Sequence, residues 1–158
     1  MIIIRNYQEV DAPILRKLFV SSVRRIAIRD YSQAQVEAWA PQAYDKQAWD
    51  CKMAQNRPFV AILNDRIAGY ADLQSSGYID HFYCHWRQQG QGVGTSLMQF
   101  IIEDSQRRNI PRIYSDVSIT AMPFFQRFDF AIVSEQTVSV RGQTLKNYKM
   151  ERTSPKHQ

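Results

Sequence analysis

A chain of 158 residues has the length of one domain and can bury about 70% of the surface its unfolded form exposes. Two cysteines, Cys51 and Cys84, are too few for a disulfide scaffold and share no metal-ligand spacing. Both are read as reduced thiols of a cytoplasmic protein, and no metal is expected. The net charge of +5, carried mostly by arginine, suits an anionic ligand such as a cofactor phosphate and would also suit RNA, although there is no concentrated basic stripe; no DNA partner is expected. No stretch approaches the roughly 20 apolar residues of a membrane span. The apolar start Met1-Ile2-Ile3-Ile4 is too short for a signal peptide.

Ile2 to Ile4 read as a first strand. Asp11-Ala12-Pro13 then reads as an N-cap with proline at the helix start, and Ile14, Leu15, Leu18 and Phe19 carry a helical period. Ser32-Gln33-Ala34-Gln35 fits a capping box that opens a second helix, ended by Pro41. Asp45 is placed to cap a third, from Lys46 to about Gln55. The period then changes. Phe59 to Leu63 and Ile67 to Leu73 flank the turn signal Asn64-Asp65 and read as a hairpin. Tyr78 to Cys84 makes a third strand of the meander. A long amphipathic helix from about Gly92 to Arg107, a strand over 112–117, a short helix over 121–128 and a hairpin turning at Arg141-Gly142 complete the chain. The order β-α-α-α-β-β-β-α-β-α-β-β predicts an α/β (α+β) fold: a mixed, mostly antiparallel sheet of six to seven strands with helices on both faces. Strand 78–84, helix 92–107 and strand 112–117 form one crossover, so its two strands are expected to be parallel neighbours. Residues 1–152 are expected to form one domain and 153–158 a disordered tail.

The most informative stretch is Gln89-Gly90-Gln91-Gly92-Val93-Gly94-Thr95. Alternating glycines between a strand and a helix let backbone amides converge without Cβ obstruction, and a helix start adds unpaired N–H donors and a partial positive charge. That is a cradle for a pyrophosphate, with the Thr95 hydroxyl and the Arg87 guanidinium close in sequence. A Walker loop would need a lysine, which is missing, and a dinucleotide fingerprint would need G-x-G-x-x-G after a first parallel strand. A plain flexible connection is the remaining alternative.

With these elements in place, the sequence resembles the GCN5-related N-acetyltransferase (GNAT) family. Gln89-x-x-Gly92-x-Gly94 matches the signature Q/R-x-x-G-x-G/A. The stretch from Ile79 to His85 stands where the family has a strand ending in "lyVhP". Ser118 to Phe130 resembles "S-x-x-A-x-x-F-F-x-x-x-G-F". Tyr31-Ser32 to Trp39-Ala40-Pro41 resembles a bacterial branch. The resemblance implies an acetyl-CoA-dependent N-acetyltransferase in which strands 78–84 and 112–117 splay apart around the pantetheine arm. Backbone groups near Phe82, Tyr83 and Cys84 would pair with the arm, and amides from Gln89 through Gly90, Gln91, Gly92, Val93 and Gly94 to Thr95 would hold the pyrophosphate. The acetyl group would pass directly to a primary amine of a small molecule or peptide. Catalysis of this kind rests on positioning and on polarising the thioester carbonyl.

Asp80 is the first candidate for the base: strand alternation puts it with Phe82 and Cys84, where apolar neighbours would raise its pKa. It could equally be a structural acid. Asp116, on the opposing strand, is the second candidate. His81 has the right chemistry but is placed by alternation on the face opposite Asp80, and a lone strand histidine is commonly structural. His85 is expected to edge the phosphate loop. Many relatives carry a tyrosine, which protonates the departing thiolate, where this chain has Phe125. Ser118 and Tyr83 are possible substitutes; Phe124 and Phe125 would pack on the pantetheine arm or the core. Asp129 replaces a glycine of the family pattern, which makes a left-handed backbone there less expected. Tyr31, Trp39, Tyr44 and Trp49 could line the acceptor pocket or belong to the core. Phe125 also keeps open an acyl-CoA-sensing module without turnover, and the positive charge a toxin-like acetyltransferase acting on aminoacyl-tRNA. Sheet edges and the C-terminal hairpin offer surfaces for a homodimer, and the sequence does not choose the oligomeric state.

Overall fold

A computed structural model describes residues 1–88 and 90–154 of the chain. The N-terminal part makes a layer of helices. Strand β1 (Ile2–Asn6) leads into α1 (Ala12–Arg25), which buries Leu15, Leu18, Phe19 and Val23. Asp11 precedes α1 without capping it: the Arg5 guanidinium holds its carboxylate with two bonds of 2.8 Å, and the Gln8 amide donates to it as well. The two other expected caps form. Ser32 accepts from the Gln35 amide at the head of α2 (Gln33–Trp39), and Asp45 accepts from Ala48 at the head of α3 (Lys46–Asn56).

The hairpin of β2 (Phe59–Leu63) and β3 (Arg66–Ala71) turns at Asn64 and Asp65, both with positive φ (53° and 62°) as a tight right-twisting hairpin requires. The expected strand over 78–84 is not one strand. It divides into β4 (Tyr78–Ile79) and β5 (Phe82–Cys84). β4 pairs in parallel with β6 (Arg112–Ser118), whereas β5 pairs antiparallel with β3. The sheet therefore exists as two four-stranded halves, ordered β1-β2-β3-β5 and β4-β6-β8-β7. The second half is completed by the hairpin of β7 (Ala131–Val140) and β8 (Gln143–Thr153), which turns at Arg141-Gly142. Thr153, expected in a loose tail, pairs with Arg112, and the rest of that tail from residue 155 lies outside the described residues.

α4 (Val93–Arg107) and α5 (Met122–Arg127) cover one face, and α1 to α3 the other. Ile79, Leu97, Met98, Ile101 and Met150 are fully buried between the halves and α4. Each such side chain contributes about 1.5–3 kcal/mol. On the opposite face α1, α2 and α3 bury Tyr31, Val36, Trp49, Met53 and Tyr70. Asp129, after α5, takes φ +66°, so the left-handed turn doubted from sequence forms with aspartate in the glycine position.

Candidate active site

The break between β4 and β5 falls at Asp80 and His81. Up to Ile79 the chain is bound to β6, and the buried Ser115 hydroxyl donates to the Ile79 carbonyl at 2.7 Å. From Phe82 onward it is bound to β3. Past the last parallel pair, Ile79 and Ser115, the strands diverge, and a cavity of about 770 Å³ opens between β5 and β6. Asp80 and Asp116, the next residues on the two strands, stand on its wall.

Alternation fails at the break, which changes what Asp80 and His81 face. Phe82 turns toward α5, with its ring centroid 5.5 Å from Phe124 and 5.6 Å from Phe125. Asp80 instead turns toward α3, where Asn56 Nδ2 (2.9 Å) and Lys52 Nζ (3.3 Å) donate to its Oδ2. His81 is not on the opposite face: its Nε2 is 3.8 Å from the same oxygen. Burial pushes the Asp80 carboxyl up, but Asn56, His81 and Lys52 together outweigh it, and its pKa lies below the ordinary carboxylate value rather than above it as expected. The His81 ring is enclosed by Phe19, Trp49, Tyr70 and Tyr83, and its Nδ1 pairs with the Tyr70 hydroxyl at 2.9 Å. Burial lowers its pKa to about 4, so it is neutral at physiological pH. Asp116 is exposed on the other wall and accepts from the Tyr78 hydroxyl (3.0 Å) and Gln136 Nε2 (2.7 Å).

The far end of the cavity is the head of α4. Gly90, Gly92, Val93, Gly94 and Thr95 line it. Gly92 takes φ +83° as the helix N-cap, and a Cβ on Gly94 would stand 3.2 Å from the Phe124 ring. The helix thus starts with unpaired amides beside a glycine whose side chain would crowd Phe124, and this fits a phosphate group. Arg29 and Arg127 also line the cavity and add positive charge; the sequence reading missed both. Gln91 is exposed outside the lining, and the Arg87 guanidinium lies over the Trp86 ring, 5.0 Å from its centroid, rather than in the cavity. His85 Nδ1 accepts from the Arg87 amide. Gln89 lies outside the described residues.

The long walls carry Tyr83, Cys84, Ser118, Phe124 and Phe125. Burial raises the Cys84 thiol to about 12, which makes it an inert apolar lining. Of the aromatic acceptor candidates only Trp39 lines the cavity. Tyr31 is buried, its hydroxyl donating to the Lys146 carbonyl and accepting from the Ile119 amide. Trp49 is core and bonds the Ala12 carbonyl, and Tyr44 packs over Arg16. Sequence reading also missed Asp72, Gln74, Asn56 and Lys52, which surround Asp80. One signal was available: Asp72 is an acid inside the apolar run from Ile67 to Leu73.

The profile of the acetyltransferase (GNAT) domain matches residues 27–152. The chain belongs to the GNAT family. It is 34% identical over 154 residues to the N-acetyltransferase YafP of Escherichia coli (strain K12), itself uncharacterized, covering 98% of this chain and 97% of that one. A GCN5-related N-acetyltransferase from Rhodopseudomonas palustris, also described as an aminotransferase of class II, superposes with a TM-score of 0.92 at 29% identity, over 96% of this chain and 95% of that one. YncA from Salmonella typhimurium, solved with its cofactor acetyl-CoA, shares the fold at a TM-score of 0.73 and 14% identity, over 99% and 95% of the two chains. This GNAT chain is an N-acetyltransferase, and the divided strand of its sheet is where the cavity forms. Among the described residues no cluster of His, Cys, Asp and Glu could hold a metal ion, and no helix is long and apolar enough to cross a membrane.

Proposed function

We propose that this protein, acting through residues 1–152 as one unit in the cytoplasm, moves the acetyl group of acetyl-CoA to a primary amine of a small molecule or peptide. Both substrates would be bound together, and the amine would attack directly. The observation that carries this reading is that one cavity joins a phosphate cradle at the head of α4 to two carboxylates, Asp80 and Asp116, at the strand break.

Acetyl-CoA supplies the acyl group and a thiolate leaving group; the chain supplies the rest. The amides of Gly92 to Thr95 and the Thr95 hydroxyl would hold the pyrophosphate, with Arg29 and Arg127 balancing its charge. β5 is paired on one edge only, so backbone groups of Phe82 and Cys84 face the gap and would bond the pantetheine arm as a strand would. Asp80 receives the ammonium of the acceptor. Held this acidic, it passes the proton on to water rather than keeping it, and the neutral amine then attacks. As the nitrogen–carbon bond forms the carbon–sulfur bond breaks; the new amide nitrogen sheds its second proton, and the departing thiolate takes up one in exchange by way of the wall hydroxyls. Two hydroxyls on the cavity wall, Tyr83 and Ser118, stand in for the tyrosine that Phe125 replaces. Ser118 accepts from the Ala121 amide, which leaves its own O–H to donate.

Thiol release from acetyl-CoA across an amine panel tests the reading. Asp80→Asn should lower kcat by about 10²-fold, while Asp116→Asn should chiefly raise KM for the amine. A wild-type protein that binds acetyl-CoA but releases no thiol with any amine would be a binding module. Turnover unchanged in both variants would remove the two carboxylates from the reaction.

A further inference from the structure

We propose that Asp72 is the positioning residue of the site: its buried carboxylate takes the two backbone amides that the strand break leaves without a strand partner, and thereby fixes Asp80 at the cavity wall. This rests on the role given to Asp80 above. Asp72 follows directly on β3 and is 0% exposed. Its Oδ1 accepts from the His81 amide at 2.6 Å and its Oδ2 from the Asp80 amide at 3.1 Å; its own amide donates to the His81 carbonyl at 3.2 Å. One side chain thus replaces a missing strand at the two residues that belong to neither half-sheet.

The arrangement closes on itself. Gln74 Nε2 donates to Asp72 at 2.6 Å and reaches Asn56 Oδ1 at 3.4 Å, and Asn56 Nδ2 donates to Asp80 at 2.9 Å. Both ends of Asp80 are held, the amide by Asp72 and the carboxylate by Asn56, and Gln74 ties the two holders together. Three N–H groups converge on Asp72, so the position needs a group that only accepts. Asparagine offers one oxygen and would aim its own N–H at a donor. Protonated Asp72 has the same defect, because its O–H displaces one of the three bonds.

The groups facing Asp72 are Asp80 and His81 at the break, and Tyr70, Tyr78 and Tyr83 on the strands around it; Lys52 of α3 lies beyond Asp80. Its three direct partners are all neutral. Burial therefore dominates and lifts its pKa to about 6, whereas His81 titrates near 4 and Asp80 below its ordinary value. A fall in transfer rate near pH 6 would report Asp72.

The experiment is kcat against pH for wild type, Asp72→Asn and Gln74→Leu, with amide NMR of Asp80 and His81 over the same range. Wild-type kcat should fall below about pH 6, and the Asp80 and His81 amide signals should shift with the same midpoint. Asp72→Asn should lose about tenfold or more in kcat, keep KM for acetyl-CoA within about twofold, and lack the acid limb. Gln74→Leu removes a donor that favours the ionised form, so both the limb and the amide midpoint should move up by about 1 pH unit. Amides that do not titrate near pH 6 in wild type, or an Asp72→Asn profile equal to wild type, would overturn the proposal. If Asp72→Asn does not fold, the Gln74→Leu shift decides. If no amine is acetylated, the transfer reading fails while the amide titration still tests Asp72.

Discussion

Asp72 and His81 are neighbours at the strand break with opposite dependences on pH. The folded Asp72 carboxyl, at about 6 against 3.8 in an unfolded chain, binds its proton more readily when folded. It adds stability that is complete below pH 3.8 and lost as pH rises through 6. His81, at about 4 against 6.5, adds stability that is complete above 6.5 and lost as pH falls through 4. Each is worth about 3 kcal/mol taken alone, and the windows overlap, so between pH 6.5 and 4 the two largely cancel. Asp11 and Asp80, both held below the ordinary carboxylate value, weaken the fold only under more acid conditions. His85, also held below the ordinary imidazole value by burial and the Arg87 charge, adds a loss in the same window, so chemical denaturation should show only a small net fall in wild-type stability over that range. His81→Leu should gain stability on acidification from pH 7 to 4, and Asp72→Asn should lose it, each by up to about 3 kcal/mol relative to its own value at pH 7.

At the level of elements, the short ladder between β4 and β6 depends on the turn before it. Gly77 has φ +95°, and a Cβ there would overlap the Arg112 carbonyl oxygen, while its own carbonyl accepts from the Tyr114 amide at 2.9 Å. Gly77→Ala should cost about 3 kcal/mol or more in a denaturation experiment, because backbone must move to admit it. Tyr31 joins the helical layer to the second half-sheet through its hydroxyl. Tyr31→Phe should cost about 1–3 kcal/mol, since it strands the partly buried Ile119 amide and Lys146 carbonyl. These two positions also mark how far the sequence could be read. The Ser32 and Asp45 caps, the Asn64-Asp65 turn and the glycine-rich start of α4 are decided within a few residues, and they were legible. The division at Asp80 is decided by which distant strand claims each side of it, and Asp72 arrives there from another strand's end. Alternation carried across the division therefore put Asp80 and His81 on the wrong faces. Tyr31 reads from the sequence as either pocket or core for the same reason: the partners that fix it are 88 and 115 residues away in the chain.

For the whole molecule, the two half-sheets meet across a cavity, and a ligand seated there would touch both. Acetyl-CoA or CoA at 100 times its dissociation constant should add about 2.7 kcal/mol of stability, readable as a rise in Tm, while NAD and ATP should add little. Equal stabilisation by NAD would mean that the cradle at Gly92 to Thr95 does not select the pantetheine carrier.

The order of the strands along the chain has a consequence for synthesis. β1, β2, β3 and β5 are all complete by residue 84, so the first half-sheet has every strand it needs before α4 is made. β4 alone must wait, unpaired, until residues 112–118 leave the ribosome. During that interval Asp72 can already hold the Asp80 and His81 amides, because all three residues lie in the earlier part. The cleft is thus not cut into a finished sheet. It is the seam where a later-made half docks on an earlier one whose edge at Asp80 and His81 is already set.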